Sequence, residues 1–389
     1  MAELLRKRGA ILEIYIVKVG DTIDSIAEMF GIPVWKLAED NQISYPFPLA
    51  VGQALLILYD TETIGNYPLV VGGYAYPLIH PFVLEETLLY LSKILVFSYG
   101  FTLEGDLVFP QIEDTALVNT GVSFGVTPIL TLTPLDENGK FNNYYVSVLV
   151  NDSEVSERLL SQLLTVMREK GYGGMDIDFE YILPEDRVPF AQFVEKTRMF
   201  MNENGYSVSV ALAPKIAADQ PGLLYEGMDY RLLGSAADSV LLMTYEWGYT
   251  YGPPMAVAPL PNVRRVVEYA VTEIPREKIA LGIPNYGYDW PLPFEKGVTA
   301  AKTIGNKEAV DIAITYGAQI FYDETAQAPY FHYQDEYGVT HEVWFEDVRS
   351  MQAKFNLIKE FNLMGCGYWQ IMRLFRANWL LLHHEFEIM

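Results

Sequence analysis

The sequence predicts an α/β protein. Its main body is a (β/α)8 barrel, with a small α+β insertion between the seventh and eighth strands and a small βααβ unit in front. Three observations carry that prediction. Beyond residue 69, short apolar runs alternate with helix-like stretches, the rhythm of parallel strands joined by crossover helices. Late in that rhythm, residues 318–347 break into short strand-like pieces instead of one helix. Ahead of it, residues 14–58 read as strand, helix, helix, strand.

The leading unit is expected over 14–59. Residues 14–19 form a strand turned by Gly20-Asp21, and the helix that follows carries Ile23, Ile26, Ala27 and Phe30 on one face. Gly31 ends that helix, Pro33 opens the next, and 53–58 return as the closing strand. The pattern Tyr15-x-Val17-x-x-Gly20-Asp21-Thr22-Ile23-x-x-Ile26-Ala27, with Val51-Gly52-Gln53-x-Leu55, resembles a LysM domain, a module that binds peptidoglycan and chitin. The resemblance places N-acetylglucosamine units against Gly20, Asp21, Thr22 and Ile23 on one loop and around Pro48 and Leu49 on the other.

A polar linker over 60–68 leads to the barrel, expected over 69–389. Its strands are predicted at 70–76, 94–99, 125–132, 174–181, 207–213, 239–245, 278–284 and 365–371, with helices such as 154–170 and 188–204 between them. In the insertion, strands at 319–323, 330–334 and 340–345 are expected, the last two joined by a hairpin at Tyr337-Gly338. Functional loops of such barrels follow the carboxyl ends of the strands.

Composition narrows the function. The 389 residues are 50% hydrophobic and 14% aromatic, enough for a large core. A net charge of −23 would repel nucleic acid phosphates and anionic membranes, so neither is an expected partner. One cysteine, Cys366, excludes an internal disulfide, and five scattered histidines have no ligand spacing, so neither metal nor cofactor is expected. Arg6, Lys7 and Arg8 precede an apolar run broken by Glu13, a poor signal peptide, and no run is long enough to span a bilayer. A monomer made without a recognisable signal peptide is expected.

The densest chemistry lies at 171–181, Gly-Tyr-Gly-Gly-Met-Asp-Ile-Asp-Phe-Glu-Tyr. As a strand, it puts Asp176, Asp178 and Glu180 on one face and Met175, Ile177 and Phe179 on the other. Stacked acids that lose hydration repel one another, so at least one should hold its proton near neutral pH. A half-exposed edge strand with a solvated acidic face is the competing reading. Neighbours on one face lie about 6.6 Å apart along the strand, so two such acids emerge from the same wall. They cannot flank a sugar ring from opposite sides, as a paired acid and nucleophile about 5–5.5 Å apart would. Glu180 is left as proton donor, and the substrate must supply its own nucleophile.

Asp176-Ile177-Asp178-Phe179-Glu180 is similar to the Asp-x-x-Asp-x-Asp-x-Glu signature of glycoside hydrolase family 18, the chitinase-like family. The resemblance implies substrate assistance, in which the sugar's 2-acetamido oxygen attacks the anomeric carbon. It gives Glu180 the proton transfers, Asp178 the acetamide N–H and the positive intermediate, and Asp176 a shared proton with Asp178. The signature's first acid falls on Gly173, a departure. Met243-Thr244-Tyr245-Glu246 matches the family's Met-x-Tyr-Asp, with Tyr245 on the acetamide oxygen and Glu246 in place of aspartate. Gly282-Ile283-Pro284-Asn285-Tyr286-Gly287 fits the seventh strand, with Tyr288 where many members carry arginine, and Gly367-Tyr368-Trp369-Gln370 fits the eighth, with Trp369 flooring the sugar site. Taken singly, Tyr245 or Trp369 reads as core more readily than as site; the four matches in order along the chain carry the resemblance. Substrate-binding residues are expected to be Trp369, Met243, Tyr74, Tyr99, Lys215, Asn285 and Glu246. The resemblance also implies non-proline cis peptides at Glu180–Tyr181, Ser98–Tyr99 and Trp369–Gln370.

Met243–Tyr249, Gly252-Pro253-Pro254-Met255-Ala256, Gln327-Ala328-Pro329-Tyr330 and Val343-Trp344-Phe345-Glu346-Asp347 look like the spore cortex-lytic, LysM-bearing branch of the family. That branch implies a bacterial, spore- or wall-associated N-acetylglucosaminidase, cutting β-1,4 bonds in peptidoglycan with retention. A chitinase or chitooligosaccharide hydrolase, and a catalytically inactive glycan-binding protein, are the alternatives.

Overall fold

The computed structural model describes residues 12–59, 65–136 and 138–389. The basic cluster at residues 6–8 and residues 60–64 of the expected linker lie outside them. In the leading unit, β1 (Leu12–Ile16) pairs antiparallel with β2 (Ala54–Leu58), Leu12 opposite Leu58. Thr22 and Ser25 start the helix Ile23–Phe30 as a reciprocal cap, each side chain accepting from the other's backbone N–H at 3.1 and 3.0 Å. The face foreseen from spacing is the buried one: Ile23, Ile26, Ala27 and Phe30 pack with Leu37 of the helix Val34–Asp40 and with Leu55 and Ile57.

The barrel strands are β3 (Pro68–Ala75), β4 (Lys93–Phe101), β5 (Thr127–Leu132), β6 (Gly174–Ile177), β7 (Ser207–Leu212), β8 (Ser239–Leu242) and β9 (Ile279–Pro284), completed by β15 (Gly365–Trp369). Each runs parallel to its neighbours, and pairing of β3 with both β4 and β15 closes the ring. All eight fall where the apolar runs placed them. Alternation divides their side chains into two cores. Outward residues such as Met175, Ile177 and Phe179 join the large cluster under the helices, where Phe179 stacks on Phe190 and Phe193 at 5.7 and 6.2 Å. Inward residues Tyr74, Leu95, Phe97, Ile129, Leu241 and Ala280 fill the barrel itself.

Between β9 and β15 the chain builds a five-stranded antiparallel sheet from β10 (Gly287–Pro291), β11 (Lys302–Ile304), β12 (Phe321–Asp323), β13 (Ala328–Gln334) and β14 (Thr340–Trp344), in the order β11-β10-β14-β13-β12. The inserted sheet therefore starts well before residue 318. The sequence concealed this because β10 follows β9 after only Asn285 and Tyr286 and reads as its continuation.

The leading unit is docked on this insertion. Gly52, at φ +85°, lies so close to Ile320 that a Cβ would sit 1.8 Å from its carbonyl oxygen, which leaves room for glycine only. Ile320 donates its N–H to Val51 at 2.8 Å, and Ala50 joins the insertion's core. From the barrel side, Arg376 donates its backbone N–H to Gln42 at 2.8 Å and pairs with Glu39 at 3.0 Å and with Glu86. Among the described residues no helix is long and apolar enough to cross a membrane.

Candidate active site

The carboxyl ends of the barrel strands open into a cleft of about 900 Å³. Asp178, Glu180, Tyr245, Met243, Glu246, Tyr74 and Trp369 all line it, so seven of the sequence-expected residues converge. Trp369 forms an apolar floor with edge contacts to Phe97 at 5.0 Å, Tyr74 at 5.5 Å and Tyr76 at 6.3 Å. Tyr181 and Tyr249, each two-fifths exposed, stand on the wall beside the acids.

The acid ladder follows from the pleat. Asp178 continues the ladder beyond β6, its backbone N–H donating to Leu132 at 3.0 Å. Asp176, one step deeper, is 1% exposed, and both its oxygens are occupied: Tyr74 donates its hydroxyl to Oδ2 at 2.8 Å and Ser209 to Oδ1 at 2.5 Å. Burial pushes its carboxyl up, while those hydroxyls and the Lys93 ammonium hold it back. Asp178 lies above it with Oδ1 buried and unpartnered, and burial, then Glu180 and Asp176, drive it well above the usual carboxylate range. Glu180 is pushed up to about 7, by burial first and the Glu246 carboxylate second. A carboxylic acid still protonated near neutrality is what donation to a leaving oxygen requires.

Glu246 stands at φ +67° and is held by two phenols, Tyr286 and Tyr288, the latter at 2.9 and 3.1 Å. Both hydroxyls oppose the upward push of burial on its carboxyl. Burial first, and then the carboxylates of Asp178, Glu180, Glu246 and Asp176, raise the Tyr245 pKa well above 10, so its hydroxyl stays a donor. Activity that depends on protonated Glu180 should decline as pH rises through about 7. In Glu246→Gln that alkaline limb of kcat/KM should move to lower pH. It should stay above the range of an ordinary glutamate, because burial, the larger cause, remains. A pH–rate profile of the two proteins checks this.

Three expected contacts are not made. Tyr99 leaves the cleft, because a register shift between Val96 and Tyr99 reverses the alternation after Phe97. Its hydroxyl bonds Asp114 at 2.5 Å outside the barrel, and Phe97 lines the cleft instead. Lys215 is 2% exposed, its ammonium donating to the carbonyls of Met228 at 2.7 Å and Ala218 at 3.0 Å. Buried Asn285 donates to the carbonyls of Gln370 and Arg373 at 3.1 and 2.9 Å, and so fixes the turn after Trp369 without lining the cleft. Among the described residues the non-proline cis peptides are Phe97–Ser98 and Trp369–Gln370. The first is one bond earlier than expected, and the chain leaves Glu180 through Tyr181 at φ +58° rather than through a cis bond. In the leading unit, Gly20, Asp21 and Thr22 lie on one loop and Pro48 and Leu49 on the other, but Ile23 is core at 2% exposure.

Residues that sequence reading missed are mainly aromatic: Tyr76, Phe97 and Tyr249 in the cleft and Tyr286 behind Glu246. Strict alternation from Leu95 would have found Phe97. The clamp on Glu246 has a signal too, since Tyr286 and Tyr288 are two apart.

Comparison with known proteins agrees with this arrangement. The model of glycosyl hydrolases family 18 matches residues 138–373, and the LysM model matches 15–57. The chain is 42% identical to a cortical fragment-lytic enzyme of Bacillus subtilis, over 97% of this chain and 99% of that one. Among solved structures, the spore cortex-lytic enzyme SleL of Bacillus cereus superposes with a TM-score of 0.80 at 35% identity, covering 97% of this chain and 87% of that one. The Bacillus megaterium SleL superposes at 0.79 and 36% identity, with the same coverage.

Proposed function

Because the chain belongs to glycosyl hydrolases family 18, we propose that it cleaves β-1,4 bonds after N-acetylglucosamine in peptidoglycan, with spore-cortex fragments as substrate. The observation that supports this best is the pair of carboxyls on one wall, Asp178 and Glu180, with Glu180 poised near pH 7 over the Trp369 floor. Among the described residues lining the cleft, the one other carboxyl besides Asp178 and Glu180 is that of Glu246, and it is tied to two phenols rather than free to attack.

In the proposed sequence, the acetamide oxygen bonds to the anomeric carbon while the glycosidic C–O bond breaks. The departing oxygen takes the proton of Glu180. Tyr245 donates its hydroxyl to the acetamide oxygen, and Asp178 accepts from the acetamide N–H. The positive oxazolinium beside Asp178 favours its carboxylate form. Glu180, now ionised, takes a proton from water as that water attacks the anomeric carbon and the bond from the acetamide oxygen to that carbon breaks; the acetamide is restored and the two displacements give overall retention. Trp369 stacks on the sugar at the cleavage point. The LysM unit holds the polymer through the loops carrying Gly20 to Thr22 and Pro48 to Leu49. The protein acts as a monomer at the spore or cell wall.

Product analysis tests the reading. Cortex fragments and chitooligosaccharides are incubated separately, and the new reducing-end sugar is identified by mass spectrometry. The expected result is N-acetylglucosamine at new reducing ends from cortex fragments, formed faster than products from chitooligosaccharides. Muramic acid at the new ends would refute the cleavage position, and faster turnover of chitooligosaccharides would favour the chitinase alternative.

A further inference from the structure

Beneath the acid ladder, at the amino ends of the strands, lies a second cavity of about 50 Å³. Asp176, Lys93, Ser209 and Ser239 line it together. Lys93 begins β4 and turns its side chain into the barrel. Its ammonium makes no hydrogen bond or ion pair with the described residues; it shares the cavity with Asp176, and the carboxylates whose charge reaches it are Asp176 and Asp238. The site of the missing first acid is closed. A Cβ on Gly173 would lie 2.4 Å from Thr127 Cγ2, so any side chain there requires the Thr127 side chain to turn away first.

We propose that Lys93 is a positioning residue for the reaction: its ammonium, below Asp176, takes over the charge balance that a partner acid at position 173 would otherwise supply. This rests on the functional reading given above. A partner acid balances Asp176 by sharing a proton. A cation balances it by keeping it ionised, so before substrate binds the one proton of the Asp176–Asp178 pair rests on Asp178, and Asp176 is the base that takes it when the positive intermediate forms.

The groups around Asp176 agree with that assignment. Tyr74 from β3 and Ser209 from β7 both present hydroxyls that can donate to a carboxylate. Thr131 from β5, opposite Asp176 in the ladder, and Asp178 and Tyr245 above complete the polar surroundings. Lys93 is the cation whose field lowers the Asp176 carboxyl. Burial pulls the Lys93 ammonium down from its ordinary value, and Asp176 and Asp238 pull it back up.

Loss of a nearby positive charge disfavours every ionised carboxyl in the ladder, so all of them titrate at higher pH. In Lys93→Met the acidic limb of the kcat/KM profile should move up by about one pH unit, the scale for a nearby opposite charge. The alkaline limb, set by the more distant Glu180, should move the same way by less. Lys93→Arg should restore the original profile. Thermal unfolding supplies a readout apart from turnover: Lys93→Met should lose more stability at pH 8 than at pH 5, because the uncompensated Asp176 carboxylate forms as pH rises. Superimposable profiles for the parent and Lys93→Met would overturn the proposal, as would an Arg variant displaced as far as the Met variant. Glu180→Gln, measured alongside, separates the two claims. Turnover retained in that variant would count against the functional reading itself, whatever Lys93 does.

Discussion

Replacing Glu180 with Gln should lower kcat on cortex fragments by about 10³-fold or more, with binding of the same fragments nearly unchanged. General acid–base catalysis is worth about 10²–10⁴-fold, and here one side chain serves both the departure of the leaving oxygen and the activation of water. The amide is close in shape to the carboxyl, so the walls formed by Tyr181, Tyr245 and Trp369 keep their places. Stability should change in the opposite sense. The Glu180 pKa is raised from 4.5 to about 7 on folding, so its favourable contribution is fully present below pH 4.5 and is lost as pH rises through about 7. Gln has no charge to bury. Above pH 7 the variant should therefore be more stable than the parent by a few kcal/mol on the linkage scale. Turnover assays, a binding isotherm and denaturant titrations at pH 4 and pH 8 check the three parts.

Asp178→Asn should lower kcat by about 10²-fold through a different route, loss of electrostatic stabilisation rather than of proton transfer. Asn can still face the acetamide, but it cannot balance the positive intermediate. The buried Oδ1 of Asp178 lacks a partner, and burial raises the group well above its ordinary value. The sign is that of a raised acid: the parent's stability from this group falls as pH rises above the unfolded value of 3.8. The variant's advantage should therefore widen from pH 4 upward, reaching about 1 kcal/mol or more, because each unit by which folding raises the pKa is worth about 1.4 kcal/mol of charge burial that Asn avoids. A variant that lost activity and stability together at pH 8 would point to a packing defect instead.

These two effects rest on residues that local pattern could reveal. Period-two alternation separated Asp176, Asp178 and Glu180 from Met175, Ile177 and Phe179, and the structure buries the second set against Phe190 and Phe193. The barrel strands were legible for the same reason, since apolar runs between helices reflect burial on both faces. What escaped depended on contacts far apart in sequence. Tyr99 was expected in the cleft from its place at the end of its strand, and a shift of register between Val96 and Tyr99 turned it outward to Asp114. Lys215 and Asn285 stand at strand ends, where sequence cannot tell a side chain aimed at substrate from one tied to backbone carbonyls. Gly173 looked like a gap in the acid pattern, and its meaning came only with Thr127 against it and Lys93 below Asp176. The early start of the insertion was hidden because only Asn285 and Tyr286 separate β10 from β9, too short a connection to mark a new sheet.

The central claim is that the substrate's own acetamide acts as nucleophile while Glu180 moves the proton. Hydrolysis of matched cortex fragments, one set intact and the other with the N-acetyl groups of glucosamine removed, tests it most directly. The account predicts that cleavage at the de-acetylated units collapses by orders of magnitude while intact units are cut normally; equal rates at both would mean that a protein side chain is the nucleophile, and would contradict it.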